Sequence, residues 1–329
     1  MKKILSLCSL MTALLVAPAA QAGSYYSCST EGCSKAGSKW TLSSYAKTRY
    51  PIVLAHGMGG FDALGPIEYF YGIPGNLTRN GASVYITTVA SFDNSTVRGE
   101  QLLKQIKTIQ AITGASKVNI IGHCQGTLDA RYVAGVAPQR VASMTGVGGP
   151  NTGSPVADVV TDVSGAVGPE LTGVVGSIVN GFFDFVNLLS GATYEQDSLA
   201  GLAQLTAEEM AAFNARFPGG MPSANDPCGQ GQASANGVRY YSWSGTGVLT
   251  NALDISDYPL GLVSLAFGFE ANDGLVGRCS SHLGMVVRDN YFMNHLDEVN
   301  QVLGLRSLFE ADPVTVFRQH ANRLKNAGL

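Results

Sequence analysis

The chain has 329 residues, a formal net charge of −3 and 14% charged residues, and its 40 glycines indicate a compact, loop-rich protein rather than a disordered one. Charges of both signs are scattered without a basic stripe, which argues against nucleic acid as a partner. The length suits one large domain or two small ones.

The first 22 residues have the pattern of a secretory signal peptide. Lys2 and Lys3 form a short positive region, the run ILSLCSLMTALLVA is apolar, and Ala-Gln-Ala at residues 20–22 is a small-residue cleavage site. The apolar run is too short to span a bilayer comfortably, and no later run of the sequence is long and apolar enough. We therefore expect residues 1–22 to be removed and the mature protein to be secreted and soluble.

From residue 50 onwards, short β-rich runs alternate with helical patterns. Residues 50–62 and 82–90 are apolar and rich in β-branched residues, and the first run breaks into a glycine-rich turn. Residues 98–114 carry Leu and Ile at helical spacing, up to Ile112, and stop at a glycine. Further strands over 117–123 and in 141–154 flank another predicted helix. This alternation predicts an α/β fold with a mostly parallel sheet covered by helices.

The sequence GHCQG at residues 122–126 joins one of these strands to the next helix. Its spacing is that of the G-x-S-x-G turn, which presents the nucleophilic serine of α/β hydrolases. Cys124 stands where the serine belongs, so a thiol replaces the hydroxyl. The residue is therefore a candidate nucleophile whose competence depends on its partners.

Residues 155–220 depart from the alternating pattern. Residues 171–191 are strongly apolar, and residues 205–220 predict a further helix with acidic residues in its first turn. The apolar segment fits a buried core helix as well as it fits a mobile lid. Such a lid would cover an active site in water and open at a lipid surface.

The sequence has six cysteines, one of which lies in the predicted signal peptide. In an oxidising compartment the others should pair as far as their number allows. Cys28 and Cys33 are close enough in sequence to close a small loop, and they lack the second ligand pair that a zinc site would need. Cys228 and Cys279 could then connect two late loops. Cys124 is left over.

The order of residues along the chain limits which of the five histidines can be the catalytic base. In α/β hydrolases the order is nucleophile, acid, histidine, and the histidine lies on a late loop. His56 and His123 fail this order. His320 lies in an apparent terminal amphipathic helix, where we expect it to be solvated or to cap the helix. His282 and His295 remain.

The acid should precede the histidine, and Asp273 lies in a turn directly after an apolar run. His282 is close to Asp273 in sequence, but it is also close to Cys279, which we expect to be held in a disulfide. His295 lies at a loop-to-helix junction, and we favour it as the base.

With these residues assigned, the chain resembles the bacterial secreted true lipases, which bind calcium and depend on a foldase. The likeness runs from about residue 48 to residue 329, and residues 23–47 have no clear counterpart, so we expect them to form an N-terminal extension. It implies an α/β-hydrolase domain with a helical lid inserted at about residues 155–220. Seven blocks occur in the order of the family: YPIVLAHGM, RGEQLL, VNIIGHCQG, RYVAGVAP, NDGLVGRCS, NHLDEVNQVLG and ANRLKNAG.

The resemblance implies a catalytic triad. The nucleophile falls on Cys124, the acid on Asp273 and the base on His295. The backbone N–H groups of Met58 and Gln125 would form the oxyanion hole, in which two fixed donors stabilise the developing negative charge of acyl transfer.

The resemblance also implies a structural calcium ion beside the histidine loop. Asp254 and Asp297 would provide side-chain ligands, and the backbone carbonyls of Gln301 and Leu305 would complete the set. Carboxylates and carbonyls suit a hard cation. Without the resemblance, the two aspartates would be taken as solvated loop residues.

Further expectations follow from the same resemblance. The family disulfide falls on Cys228 and Cys279, in agreement with the pairing above. The substrate would be a water-insoluble acyl ester, and the lid would contact the lipid surface that contains it. A membrane-anchored foldase and a secretion machinery would be transient partners on a route through the periplasm to the outside of the cell. We expect the protein to be a monomer.

The predicted activity is hydrolysis of carboxylic esters, of the triacylglycerol lipase type, through a Cys-His-Asp triad and an acyl-thioester. A thiol ionises readily beside an imidazole, but the tetrahedral intermediate expels a thiolate more easily than an alkoxide. Two alternatives therefore stay open. One is a weakened or inactive serine-to-cysteine form of a lipase, and the other is an acyltransferase or a lipid- or polymer-binding protein. The box also resembles those of dienelactone hydrolases and polyhydroxyalkanoate synthases, which use Cys, His and Asp.

Overall fold

The computed structural model describes residues 22–60, 63–64, 67–164, 173–190, 199 and 201–329, so the predicted signal peptide lies outside the described residues except for Ala22. These residues form a central sheet of nine strands and a separate two-stranded ribbon. The strands are β1 (Ala22–Ser29), β2 (Gly32–Trp40), β3 (Ile52–Ala55), β4 (Ala63–Leu64), β5 (Ile67–Glu68), β6 (Val84–Thr87), β7 (Val118–His123), β8 (Val141–Val147), β9 (Ser234–Ala235), β10 (Val238–Gly245) and β11 (Met285–Tyr291).

The sheet has the order β11-β10-β8-β7-β3-β6-β1-β2, and β9 pairs with β10. All pairs from β11 to β1 are parallel, whereas the β1–β2 and β9–β10 pairs are antiparallel. The expected α/β-hydrolase fold with a mostly parallel sheet is therefore confirmed. The short central strands β3, β6, β7 and β8 are buried along their whole length, as strands covered on both faces must be.

Helices cover both faces of the sheet. They are α1 (Ile73–Arg79), α2 (Ser95–Thr113), α3 (Gln125–Val136), α4 (Pro155–Ser164), α5 (Gly173–Ser190), α6 (Ala207–Arg216), α7 (Asp257–Val263) and α8 (Pro313–Asn326). One apolar cluster packs α2 and α3 against the sheet, and another packs α1 and α8 against the opposite face. In the described part of the chain, none of the helices is both long and apolar enough to cross a bilayer.

Helix α2 begins and ends close to the predicted positions. The Asn94 side chain caps it by accepting hydrogen bonds from the backbone of Thr96 and Val97, and Gly114 follows its last turn. Ile106, at the predicted helical spacing, is fully buried, but Ile112 is 54% exposed. The last turn of α2 therefore exposes an apolar residue of the predicted spacing to solvent.

The N-terminal extension forms a β-hairpin on the edge of the sheet. Strand β1 pairs with β6, and β2 pairs with β1. Cys28 and Cys33 face each other across the hairpin and form a disulfide. Cys228 and Cys279 form the second disulfide, which leaves Cys124 as the free cysteine of the described residues.

His320 lies in the amphipathic helix α8, as predicted, but not on its solvated face. It is fully buried beside Trp243, and Thr145 Oγ1 lies 2.8 Å from its Nε2. Burial, with a contribution from the Arg323 charge, lowers the pKa of His320 to about 3. The expected solvated or capping role is therefore wrong, and His320 is a neutral core residue.

The helices α4, α5 and α6 occupy the region between β8 and β9 in which we expect a lid. Phe182 and Phe185 of α5 are buried, while Val174 near its start is 59% exposed. The buried face of α5 belongs to an apolar cluster that also contains Met58 and Leu296. The helix thus packs over the end of the sheet at which the predicted nucleophile and base lie.

Candidate active site

Cys124 occupies a sharp turn between β7 and α3. Its backbone has φ 54° and ψ −129°, a left-handed conformation that a non-glycine residue rarely adopts, and its N–H donates to Val147 at 2.9 Å. A Cβ atom on Gly126 would lie 2.4 Å from the carbonyl oxygen of Ala55, so this position of the box needs glycine. The GHCQG segment therefore has the strand-turn-helix geometry of a nucleophile turn.

The structure brings the predicted acid and base together beside this turn. His295 Nδ1 lies 2.7 Å from Asp273 Oδ2. Asp273 is itself held by hydrogen bonds from the backbone of Leu275 and Val276 to its Oδ1. Because the carboxylate accepts from Nδ1, the imidazole turns Nε2 toward the thiol of Cys124. Nε2 is buried and forms no geometric hydrogen bond within the described part of the chain, so it is free to exchange a proton with the neighbouring thiol.

The electrostatics of the pair favour a thiolate beside an imidazolium. Burial by itself would raise the pKa of Cys124, but His295 and two backbone N–H groups outweigh it and the pKa is lowered. Burial would lower the pKa of His295, but the charge of Asp273 and the neighbouring Cys124 raise it well above its ordinary value. The proton therefore moves from sulfur to nitrogen more readily than it would between free side chains.

The two backbone groups that approach the sulfur are those predicted for the oxyanion hole. Burial raises the pKa of Cys124 and His295 lowers it. Hydrogen bonds from the N–H groups of Gln125 and Met58 lower it further. Met58 lies in the turn after β3, and Gln125 is the first residue of α3, where backbone N–H groups are free to bind an anion.

A chain of hydrogen bonds links the oxyanion turn to the loop of the base. The N–H of Gly57 donates to the Tyr69 hydroxyl at 3.1 Å, and that oxygen lies 2.7 Å from His123 Nδ1. His123 Nε2 lies 3.0 Å from the carbonyl oxygen of His295. A carbonyl only accepts, so Nε2 carries the proton and Nδ1 accepts from Tyr69. Burial, with His295 second, lowers the pKa of His123 well below its usual value, which keeps the ring neutral.

His123 and Tyr69 are therefore site residues that sequence reasoning missed. His123 was set aside because chain order excludes it as the base, and it does not act as one. Its contact with His295 joins residues separated by 172 positions, and no local pattern indicates such a contact. Tyr69 carries no motif signal that could have singled it out.

A second buried carboxyl group, that of Glu298, lies beside the triad. Its Oε1 accepts from the N–H of Gly245 at 2.5 Å, and its Oε2 lies 3.5 Å from His123 Nε2. Burial and the Asp273 carboxylate raise its pKa well above the ordinary value, so Glu298 is held as a neutral acid. With His123 and His295 it forms a group of three side chains with metal-ligating atoms. His295 Nδ1 is engaged by Asp273 and His123 Nε2 by a backbone carbonyl, which leaves these two nitrogens unavailable to a metal ion.

His56 and His282 lie where they cannot act as the base. His282 binds Asp289 and the carbonyl of Gly229, beside the late disulfide. His56 accepts from the N–H of Val89, and burial followed by the Arg98 charge lowers its pKa to about 3. The choice of His295 over His282 on sequence grounds agrees with this geometry.

The aspartates expected to bind calcium converge beside the base loop. Asp254 and Asp297 are both buried and are joined through Asn294, whose N–H donates to Asp297 Oδ2. Asp297 Oδ1 is buried without a hydrogen-bond partner among the described residues. Burial raises the pKa of Asp297 to about 7, with smaller contributions from Asp254 and Asp257. An unpaired buried carboxylate oxygen beside further acids is suited to a hard cation. Asp257 was not anticipated.

The chain shares its sequence pattern with characterised proteins. A family model described as the alpha/beta hydrolase fold matches residues 50–254. A triacylglycerol lipase of Vibrio cholerae serotype O1 is 54% identical over 288 residues, which cover 87% of this chain and 90% of the relative. A triacylglycerol lipase of Pseudomonas fragi is 42% identical over 293 residues, covering 86% of this chain and 98% of the relative.

Solved structures agree with the fold. The lipase BlEst2 of Bacillus licheniformis in its mature form has a TM-score of 0.58 at 15% identity, covering 85% of this chain and 93% of that one. EstA from Clostridium botulinum has a TM-score of 0.56 at 14% identity, covering 85% of this chain and 88% of that one. At such identities the similarity shows the fold alone.

Proposed function

Because this chain belongs to the α/β-hydrolase family and, within it, to the bacterial triacylglycerol lipases, it is a carboxylic ester hydrolase, and we propose that it cleaves water-insoluble acyl esters with Cys124 as its nucleophile. The observation that carries the proposal is the position of Cys124, whose strained turn packs against Gly57 and lies beside the hydrogen-bonded pair of Asp273 and His295. His295 and the N–H groups of Met58 and Gln125 then all favour the thiolate form of the same sulfur atom. Nucleophile, base and oxyanion donors meet there, which is the arrangement required for acyl transfer.

The proposed reaction has two halves. The Cys124 thiolate attacks the ester carbonyl, a C–S bond forms, and the negative charge moves to the carbonyl oxygen between the N–H groups of Met58 and Gln125. When the intermediate collapses, the C–O bond to the alcohol breaks, and His295 Nε2–H protonates the leaving alkoxide. His295 then takes a proton from water, which attacks the acyl-thioester. The C–S bond breaks, and the acid product and the thiol are released.

The weak point of this cycle is the collapse of the first intermediate. A thiolate leaves more readily than an alkoxide, so an ester of an ordinary alcohol tends to return to substrate. Protonation of the alkoxide counters this tendency, and the raised pKa of His295 supports it because the imidazolium stays available as an acid. We therefore expect esters of acidic alcohols and thioesters to be cleaved faster than triglycerides.

We also propose that a calcium ion binds beside the base. Asp254 and Asp297 would hold it through their carboxylates, together with the carbonyls of Gln301 and Leu305. The unpaired Oδ1 of Asp297 supports this assignment. A bound ion supplies charge neutralisation for these acids, and it would fix the loop that carries His295, two residues before Asp297.

The helices over the site support a lid that shields the reaction from water. Cys124 is 8% exposed and His295 is 1% exposed, and the buried face of α5 packs in one apolar cluster with Met58 and with Leu296, the residue after His295. We propose that α5 is the lid and that it opens at a lipid surface. The two disulfides support export to an oxidising compartment. A signal peptide, a monomeric state, a foldase and a secretion machinery remain predictions.

The test compares the mature, calcium-loaded protein with its Cys124→Ser and Cys124→Ala variants. Hydrolysis of an activated ester and of a long-chain triglyceride would be followed, with intact mass recorded during turnover. Turnover by the cysteine form, with a transient acyl adduct that hydroxylamine removes and that the alanine variant lacks, is the expected result. If the cysteine form matches the alanine variant on both substrates and only the serine form is fast, the working thiol is refuted and the site is a disabled lipase site.

A further inference from the structure

Arg98 is a fully buried arginine of α2 in which every N–H donor has an acceptor. Nε donates to Asp129 Oδ2 at 2.9 Å, and Nη1 donates to the carbonyls of Ala90 and Ser91. Nη2 also lies 2.9 Å from Asp129 Oδ2, and it donates to the carbonyls of His56 at 2.8 Å and Gly57 at 3.3 Å. The guanidinium has five N–H groups in a fixed plane, and these contacts use all of them. Burial of a charged group without such contacts would be costly, so its presence here needs a reason.

The acceptors belong to the segments that carry the two oxyanion donors. The carbonyls of His56 and Gly57 lie in the turn that leads into Met58. Asp129 lies in α3, whose first residue is Gln125, the other donor. A single rigid side chain therefore connects the two halves of the oxyanion hole. The carbonyls of Ala90 and Ser91 anchor it to the loop after β6.

The contact with Gly57 has a specific electronic consequence. The carbonyl of Gly57 and the N–H of Met58 belong to one peptide group, in which they point in opposite directions. That carbonyl oxygen accepts from Arg98 Nη2 at 3.3 Å and from His56 Nδ1 at 2.8 Å. Both contacts keep the opposite N–H directed at Cys124. A cation on the carbonyl also draws electron density from the peptide, which strengthens its N–H as a donor.

We propose that Arg98 is a positioning residue of the oxyanion hole, which orients and polarises the peptide between Gly57 and Met58 from the side opposite to the substrate. The inference rests on the proposed function, because it requires an oxyanion to form at residue 124. Arg98 does not touch the substrate. Its contribution appears only when negative charge develops on the carbonyl oxygen, so it acts on the transition state and not on binding of the ester.

The natural test is Arg98→Lys, which keeps the charge but loses the planar fork. A lysine ammonium is a single point with three donors and cannot reach Asp129 and both groups of carbonyls together. Loss of one complete oxyanion donor costs about 100- to 1,000-fold in kcat in other enzymes. Since the Met58 N–H is displaced and not removed, we expect kcat to fall about 10- to 100-fold, with KM changed less than about twofold.

Arg131 offers a matched control. It is a second buried arginine, it lies on α3, and its partners are Asn151, Asn214 and the carbonyl of Phe217, none of which belongs to the oxyanion turn. Arg131→Lys makes the same chemical change at a similarly buried position. We expect it to lower the midpoint of thermal unfolding without the selective loss of kcat.

The decisive readout is the affinity for a long-chain alkyl trifluoromethyl ketone, which adds to the nucleophile and forms an oxyanion. For Arg98→Lys the inhibition constant should rise by the same factor by which kcat/KM falls. An unchanged inhibition constant, or an equal rise in Arg131→Lys, would overturn the proposal. If Arg98→Lys does not fold, Asp129→Asn is the second variant, because it weakens the anchor of the guanidinium. We expect kcat/KM to fall and the inhibition constant to rise by a common but smaller factor. If neither constant changes in Asp129→Asn, the proposal is overturned.

The comparison is made in both the Cys124 and the Cys124→Ser forms. If the cysteine form proves inactive, the proposed thiol mechanism fails, yet the serine form still reports on Arg98. If the serine form shows no effect of Arg98→Lys on either constant, the positioning role fails whatever the fate of the thiol mechanism.

Discussion

Gly57 and Cys124 are packed against each other so closely that a Cβ atom on Gly57 would lie 2.5 Å from Cβ of Cys124 and 3.2 Å from its sulfur. The same atom would lie 2.9 Å from the Tyr69 hydroxyl. The turn that carries the oxyanion donor is therefore positioned by direct contact with the nucleophile, and the absence of a side chain at residue 57 is what allows the sulfur to reach its place.

Replacement of Gly57 by alanine should therefore lower kcat/KM by about 100-fold. The added methyl group must push the oxyanion turn or the nucleophile by more than half an ångström, and misplacement on this scale can cost about 100-fold in rate. The measurement is kcat/KM on an activated ester, with the thermal unfolding midpoint as a check of folding. Gly75→Ala in α1 is the control, because its Cβ would meet only the flexible end of Lys39 at 3.0 Å and should leave kcat/KM unchanged. Full activity of Gly57→Ala would contradict the site geometry.

Asp273→Asn should lower kcat/KM by about 100- to 10,000-fold, as the loss of the orienting carboxylate does in triads of this kind. The amide cannot stabilise the imidazolium and permits the wrong tautomer at Nδ1. Asp289→Asn is the control, since Asp289 also contacts a buried histidine, at 3.0 Å from His282 Nε2, but has Arg278 as a second partner and lies away from Cys124. Equal losses in the two variants would mean that His295 is not the base.

The reactivity of Cys124 should extend to lower pH than that of an ordinary thiol. An acid whose pKa is lowered is ionised at a lower pH, and the pKa of Cys124 is lowered because His295 and two N–H groups outweigh the effect of burial. Alkylation by iodoacetamide should therefore stay fast below about pH 8.5, where free cysteine is mostly protonated. In His295→Gln, the alkylation rate should already fall when the pH is lowered to about the pKa of an ordinary thiol, or at a higher pH. An identical profile for both proteins would show that no ion pair forms.

Removal of calcium with a chelator should lower the thermal unfolding midpoint, and Asp297→Asn should eliminate the difference. The stabilisation corresponds to about 2.7 kcal/mol when free calcium exceeds its dissociation constant 100-fold. Burial raises the pKa of Asp297 to about 7 in the metal-free protein, so below that pH calcium must displace a proton. The shift in midpoint should therefore be larger at about pH 8 than at about pH 6. Asp162→Asn, at an exposed position of α4, should respond to calcium like the parent.

The sequence was sufficient for the architecture and for selecting three side chains that the structure brings together, those of Cys124, Asp273 and His295. Alternating strands and helices indicate a parallel sheet, since burial on both faces leaves a local pattern. The spacing of GHCQG identifies Cys124, and chain order leaves few candidates for its partners. The structure brings Asp273 and His295 together beside the nucleophile, as that order implies.

The residues that hold these groups in place were decided only by the tertiary structure. Arg98 reaches the carbonyl of His56 across 42 positions, and Tyr69 reaches His123 across 54. Glu298 and His320 are polar residues whose burial no periodicity reveals, because helical spacing reports the face of an element and not the partner that covers it. The nucleophile motif GHCQG consists of contiguous residues and can be recognised in the sequence. The hydrogen bonds that orient it join distant ones, and they exist only once the sheet has brought those segments to a common edge.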